Sequence, residues 1–223
     1  MPRRLAPAAI AIAVLASAAL SARVARADGS APTAVSWATA QAIDRTRAGQ
    51  IHVRCNELDS AQRAFLDAIS FDATYGPAYL GLDEVLEERG DTREAERTLS
   101  MGIEHVTGFY EGLVARGKLR ARLHRTTDAI ADLEAAAALH PDAGVLHALT
   151  DAYIAARALP AALAATRLRL ALAEAQGDAR DAGEARALAR ALVGLVGEVD
   201  PVTAGGSGRG PVRRALWAAT RRR

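Results

Sequence analysis

Apolar and small residues recur every 34 positions along the middle of the chain. Alanine stands at 61, 95 and 129; a large apolar residue follows four places on, and a small residue three places after that. The ladder comprises Ala61, Phe65 and Ala68, then Ala95, Leu99 and Gly102, then Ala129, Leu133 and Ala136. Because residues three and four apart share one face of an α-helix, each set predicts a helix with an apolar face. The fixed period predicts an array of similar helical pairs.

Capping residues and prolines delimit the helices. Ser36 suits the start of the first helix, Pro77 suits a first turn, and Gly90 suits a helix end. Asp91 with Glu94 resembles a capping box for the helix that follows. The expected helices cover about 37–54, 58–70, 77–89, the stretch after Asp91, 110–123, 127–139, the stretch around Leu146–Tyr153, 160–174 and 179–196. In the last of them we expect an apolar side made of Ala187, Leu188, Ala191, Leu192 and Leu195.

The stretch DAIADLEAAAALHPDA, residues 128–143, is the most specific match to a known pattern. Its order of alanine, large apolar residue, alanine and proline resembles the second helix of a tetratricopeptide repeat. The resemblance covers four repeats near 42–75, 76–109, 110–142 and 143–176, the fourth displaced by one residue. It implies an all-α fold, an α-α superhelix of tetratricopeptide-type helical hairpins forming a solenoid, with a C-terminal capping helix at 179–196.

The ends of the chain differ from the array in composition. Arg3 and Arg4, an apolar run from Leu5 to Leu20, and Ala25-Arg26-Ala27 predict a signal peptide over 1–27, cleaved after Ala27. We therefore expect an exported protein, periplasmic or extracellular. The alternative is an uncleaved N-terminal anchor, although the run falls short of the ~20 residues that span a bilayer. The remaining segments are a flexible lead-in (28–35), the repeat domain (36–198), and a Gly-rich linker with a basic tail (199–223).

Charge is distributed unevenly along the chain. The whole chain has 28 basic and 26 acidic residues, but the basic excess lies at the two ends, so residues 28–208 hold 18 basic and 26 acidic ones. An acidic body argues against nucleic acid as a partner, because a nucleic-acid binder lines its working face with positive charge. The basic tail could contact an anionic membrane surface or fold back on the acidic body. The residues of this surface anchor would be Arg213, Arg214, Trp217, Arg221, Arg222 and Arg223.

The resemblance also implies a peptide-binding groove, lined by the first helix of each repeat. Its middle would be acidic and its flanks basic, which suits an extended segment of alternating charge; the other reading is an ordinary solvated helix face. The groove positions are Gln50, Arg54, Leu80, Glu84, Glu87, Glu88, Val114, Lys118, Arg122, His147, Asp151 and Ile154.

Catalytic patterns are missing from the sequence. There is no glycine-rich phosphate loop, nucleophile elbow or paired-cysteine zinc pattern, and none of the five histidines has a partner four residues away on one helix. We therefore expect no enzyme activity, cofactor, metal or small-molecule substrate. The single cysteine, Cys55, ends the first predicted helix, where we expect it to be partly buried with a packing role.

These observations favour a non-catalytic adaptor or scaffold in the cell envelope that binds a protein or peptide in the concave groove. The alternative is an accessory subunit of an envelope polysaccharide or export assembly, associated with the membrane surface through its basic tail. A wall or glycan role would favour aromatic side chains in the groove, whereas Tyr79 and Tyr153 fall at predicted core positions.

Overall fold

The computed structural model describes residues 35–198, and this part of the chain contains nine α-helices. They are α1 (Trp37–Arg54), α2 (Leu58–Phe71), α3 (Gly76–Glu88), α4 (Thr92–His105), α5 (Tyr110–Arg122), α6 (Thr126–Leu139), α7 (Ala143–Ala155), α8 (Leu159–Gln176) and α9 (Ala179–Glu198). Contacts divide the chain into a unit that ends at Ala40 and one that begins at Gln41. Of the former, only residues 35–40 are described. The predicted signal peptide, lead-in up to residue 34, linker and basic tail, with all six anchor residues, lie outside the described residues.

The helices pair in chain order, and the pairs repeat with the predicted period. The first helices α3, α5 and α7 begin at Gly76, Tyr110 and Ala143, so the spacing shortens by one residue before the fourth pair, as predicted. Successive first helices contact one another, α3 with α5 and α5 with α7. The first helices therefore form one layer, and the second helices α4, α6 and α8 form the other.

The 34-residue ladder forms the contact between the two layers. Ala95 and Leu99 are fully buried, as are their equivalents in α2 and α6. At Gly102, an added Cβ would lie 2.8 Å from a ring carbon of Phe109 and 3.0 Å from Cγ of Tyr79. Small residues at this position therefore let the aromatic rings of the first-helix layer approach the second helix.

The turns confirm some capping predictions and correct one. Ser36 Oγ accepts a hydrogen bond from the Thr39 amide at 3.0 Å, and Gly90 ends α3 with a φ of +82°. The predicted capping box at α4 is wrong. The Asp91 side chain accepts no hydrogen bond from the helix, and Glu94 pairs with the Arg97 guanidinium one turn further on.

The buried side of α9 differs from the predicted one. Ala182, Ala185 and Leu192 are buried, whereas Leu195 is 48% exposed. Ala187 and Ala191 are exposed as well. Alanine residues of α9 lie on several of its faces, so the sequence hardly distinguishes one face from another. Which face is buried depends on the side that meets α8. Of the predicted side, Leu192 and the partly buried Leu188 belong to the core around α7 and α8.

The expected burial of Cys55 is also wrong, because the residue is exposed. It lies in the turn between α1 and α2, next to Asn56 with its positive φ of 60°, and so it is not on a helix face that packs. Within residues 35–198, no helix is both long and apolar enough to cross a membrane.

Candidate functional site

The predicted groove residues all lie on the first helices, and we call these residues the first-helix face. They comprise Gln50 and Arg54 on α1, Leu80, Glu84, Glu87 and Glu88 on α3, Val114, Lys118 and Arg122 on α5, and His147, Asp151 and Ile154 on α7. Equivalent positions follow the repeat spacing, so Gln50, Glu84, Lys118 and Asp151 occupy one row across the four helices. The charge along this row changes from neutral to negative, positive and negative.

Most of the polar residues of this face are exposed, and two of its three apolar residues pack on the cores. Arg54, Glu84, Glu88 and Lys118 are exposed. Leu80 packs on the core formed by α2, α3, α4 and α5, and Val114 packs on the core around α7. Ile154 is 37% exposed and is the main apolar side chain that the face offers to solvent.

Two ion pairs link members of the face. Arg122 on α5 donates to the Glu87 carboxylate on α3, which neutralises part of the predicted acidic middle. His147 Nε2 lies 3.6 Å from Asp151 Oδ2 on the same helix. No such pair joins Glu84, Glu88, Lys118 or Arg54 to another residue in the part of the chain that the structure describes, so the face retains free charges of both signs.

Asp83 is a feature that sequence reasoning missed. It lies on α3 beside the face and is only 8% exposed, and its Oδ1 has no hydrogen-bond partner among the described residues. The pKa of this carboxyl is raised to about 7: burial is the main cause, the negative charges of Glu87 and Glu84 add to it, and Arg122 partly opposes them. The repeat spacing could have revealed it, because the equivalent residues of α1 and α5 are Gly49 and Gly117.

A second missed feature is a charge network at the third repeat, built around the buried carboxylate of Asp132. Arg116 donates to both oxygens of Asp132, at 3.0 and 2.7 Å, and Arg120 bridges Asp132 and Glu96 at 2.8 Å each. Arg125 adds two bonds to Glu96. Burial by itself raises the pKa of Glu96, but the bonds from Arg120 and Arg125 outweigh it and hold the pKa below its usual value. The network ties α4, α5 and α6 together.

A third missed group lies where the array ends. Arg169 on α8 is 6% exposed; it donates to Asp181 on α9 at 2.8 Å through Nε and lies 3.1 Å from Nδ1 of His147 on α7. Arg169 occupies the position that is Ala68, Gly102 and Ala136 in the earlier repeats. The small-residue ladder therefore ends in a charged residue that joins three helices, and one of its neighbours belongs to the first-helix face.

No cluster of three or more His, Cys, Asp or Glu side chains that could hold a metal ion is found within residues 35–198. The face is an exposed surface of free charges, paired charges and one apolar side chain. Such a surface can make charge-assisted hydrogen bonds and salt bridges to a second chain laid across the helices.

Solved structures contain a similar arrangement of helices. The crystal structure of MamA aligns over 70% of this chain and 88% of its own, with a TM-score of 0.54 and 18% identity. YrrB, described as a TPR protein with an unusual peptide-binding site, aligns over 66% of this chain and 77% of its own, with a TM-score of 0.51 and 19% identity. The ArsTM double mutant of MamA RS-1 aligns over 75% of this chain and all of its own, with a TM-score of 0.53 and 16% identity.

No protein-family model and no curated protein sequence matches the chain. The structural matches therefore establish the fold. The described part of the chain is an all-α solenoid of tetratricopeptide type, as the sequence predicts.

Proposed function

We propose that the protein is a non-catalytic interaction module that holds an extended protein or peptide segment across its first-helix face. The observation that carries this proposal is the row formed by Gln50, Glu84, Lys118 and Asp151, which repeats with the helices and presents side chains of alternating charge. Arrays of stacked helical pairs characteristically present extended binding surfaces. YrrB, which has this fold, is described as having a peptide-binding site, and this supports the same class of ligand here.

A photo-crosslinking amino acid at one exposed position in each layer tests the proposal. Ile154 on the first-helix face and Leu66 on α2 are both apolar, and they are 37% and 47% exposed, so they form a matched pair. We expect the full chain with the crosslinker at Ile154 to capture a defined partner in its source cells, and the chain with the crosslinker at Leu66 to capture none. Equal capture from both sites would show that the partner does not bind specifically at the first-helix face.

We further propose that the protein works in the cell envelope after export. The basic start, apolar run and Ala25-Arg26-Ala27 of the sequence support this location. Mass spectrometry of the protein from its source cells should find Asp28 as the first residue, in an envelope or extracellular fraction. A protein that begins at residue 1 or 2 and occurs in the cytosolic fraction would contradict export.

A further inference from the structure

A series of polar side chains leads from the first-helix face into the last junction of the array. Asp151 and His147 lie on α7 with side chains 62% and 55% exposed, and His147 Nε2 is 3.6 Å from Asp151 Oδ2. On the other side of the ring, His147 Nδ1 lies 3.1 Å from Nη1 of Arg169, which is buried. Arg169 in turn donates to Asp181 on α9 at 2.8 Å. The His147 ring therefore joins an exposed acid to a buried cation.

The position of the proton on the His147 ring follows from these two neighbours. A guanidinium has only donor N–H groups and keeps its charge in proteins, so His147 Nδ1 must accept the hydrogen bond from Arg169. A neutral imidazole carries one proton on its two nitrogens. That proton must then lie on Nε2, the nitrogen that faces Asp151. The geometry is therefore that of a neutral histidine in one defined tautomer.

A second proton on the ring would change its two contacts in opposite directions. Protonated Nδ1 would bring an N–H against the N–H of Arg169 and place two cations side by side, and like charges repel. On the exposed side, the imidazolium and the Asp151 carboxylate would attract each other as an i, i+4 ion pair. The protonated ring should therefore leave Arg169, which keeps its bonds to α9, and turn to Asp151.

Charged groups of both signs lie on the helices around His147, and they do not reverse this result. The acids of α6 and α9 bind other groups, Glu134 the hydroxyl of Tyr153 and the two on α9 the guanidinium of Arg169. On α5, the acid and the base lie one turn either side of Val114, the equivalent of His147, so their effects oppose each other. The groups are Glu111 and Lys118 on α5, Glu134 on α6, Arg169 on α8, and Asp181 and Glu184 on α9.

We propose that His147 is a pH-sensitive contact that controls the charge of the first-helix face at α7. This proposal rests on the proposed function of that face. While His147 is neutral, Asp151 presents its negative charge to a cationic side chain of the partner segment. Histidine is the residue type whose charge ordinarily changes between about pH 5 and 8. As the pH falls through this range, protonated His147 neutralises Asp151, and the partner is held less tightly.

The tautomer can be measured without a partner. Nitrogen-15 NMR of the full chain, labelled in histidine, should find the His147 proton on Nε2 at pH 8, and the His147→Gln variant identifies its signals by their loss. A proton on Nδ1 at pH 8 would overturn the proposal, because such a ring cannot accept from Arg169. Equal populations of the two tautomers would overturn it too, because they would show that Arg169 does not hold the ring.

The effect on the partner is measured with the crosslinker at Ile154, one turn after Asp151 on α7. Capture should fall by about twofold to fivefold between pH 8 and pH 5.5, the value of one exposed ion pair. His147→Gln should remove this fall, because its amide can accept from Arg169 and gains no proton. The control is His105→Gln, because His105 is an exposed histidine at the end of α4, and it should keep the fall.

The two proposals fail in different ways. Capture that falls equally in the His147→Gln variant and the native chain, or that does not change with pH, would overturn the role of His147 and leave the proposed function intact. If the crosslinker at Ile154 captures no partner at either pH, the proposed function fails, and the role of His147 fails with it.

Discussion

At the scale of single residues, Asp83 should make the stability of the protein depend on pH. Its pKa is raised from 3.8 to about 7 in the folded chain. The folded state thus keeps this proton where the unfolded state has lost it, and the contribution to stability is full below about pH 4 and is lost as the pH rises to about 7.

Asp83→Asn should remove this dependence, because the amide resembles the protonated carboxyl at every pH. We expect the variant to be more stable than the native chain at pH 8 by about 2–4 kcal/mol, and the difference to shrink toward pH 4. Urea unfolding at a series of pH values measures it. The exposed Glu88→Gln serves as control. A difference that does not vary with pH would show that Asp83 is ionised at neutral pH in the folded chain.

A second residue-scale prediction concerns the ladder. Ala95 is fully buried in the core formed by α2, α3, α4 and α5. Ala95→Leu should overpack this contact and lower the free energy of unfolding by about 1–3 kcal/mol. Glu88→Ala, on the exposed side of α3, should change it by less than about 0.5 kcal/mol. Thermal unfolding of the two variants decides, and equally small effects would mean that Ala95 does not lie at the helix crossing.

At the scale of elements, the third helical pair has ion pairs at positions where the second helical pair has mainly apolar contacts. Arg116, Arg120 and Asp132 take the places of Leu82, Leu86 and Thr98 one repeat earlier. The side chain of Asp132 is only 6% exposed, and it satisfies both arginines. Removing the carboxylate would leave two partly buried guanidinium groups without this partner, and breaking one side of such a network costs more than replacing both sides.

Asp132→Ala should therefore destabilise the chain by about 3–5 kcal/mol. The triple change Arg116→Leu, Arg120→Leu and Asp132→Thr copies the second repeat. Its free energy of unfolding should lie within about 1–2 kcal/mol of the native value or above it, because the three charges are removed together and Glu96 keeps its bonds to Arg125. Chemical denaturation compares them. A triple variant as unstable as Asp132→Ala would show that the network cannot be exchanged for apolar packing.

The sequence predicted the elements better than it predicted the charged interior. The period of 34, the one-residue displacement and the helix ends at Gly90 and Ser36 depend on local patterns that a single chain displays. The buried side of α9 depends on a neighbour in space, and alanine gives little contrast between faces. Asp83 and Arg169 could have been found as exceptions at positions where other repeats have small residues, but the burial of Asp83 and the partners of Arg169 are set by the tertiary structure. The groove assignment remains a prediction.

At the scale of the whole described array, each helical pair contacts mainly its neighbours. A destabilising substitution should therefore lower the stability of nearby helices and leave distant ones unchanged. Asp181→Ala removes a carboxylate that receives two bonds from Arg169, and we expect a loss of about 2–3 kcal/mol. Hydrogen exchange read by mass spectrometry should show reduced protection in α7, α8 and α9, with α3 and α4 unchanged. Ala95→Leu should instead reduce protection in α3 and α4 and leave α7, α8 and α9 unchanged. A uniform loss along the chain in either variant would mean that the array unfolds as one unit.

Arg169 also determines where the array could be lengthened by design. Ala68 packs with Ala42 of its own pair and Ala78 of the next. A copied pair inserted in the first half would therefore pack against the same kind of small-residue contact. A pair inserted after Gln176 would instead separate Arg169 from Asp181 and bring an uncharged helix against the guanidinium. The chain can therefore be extended from within, whereas its last junction accepts only the helix that carries the matching carboxylate.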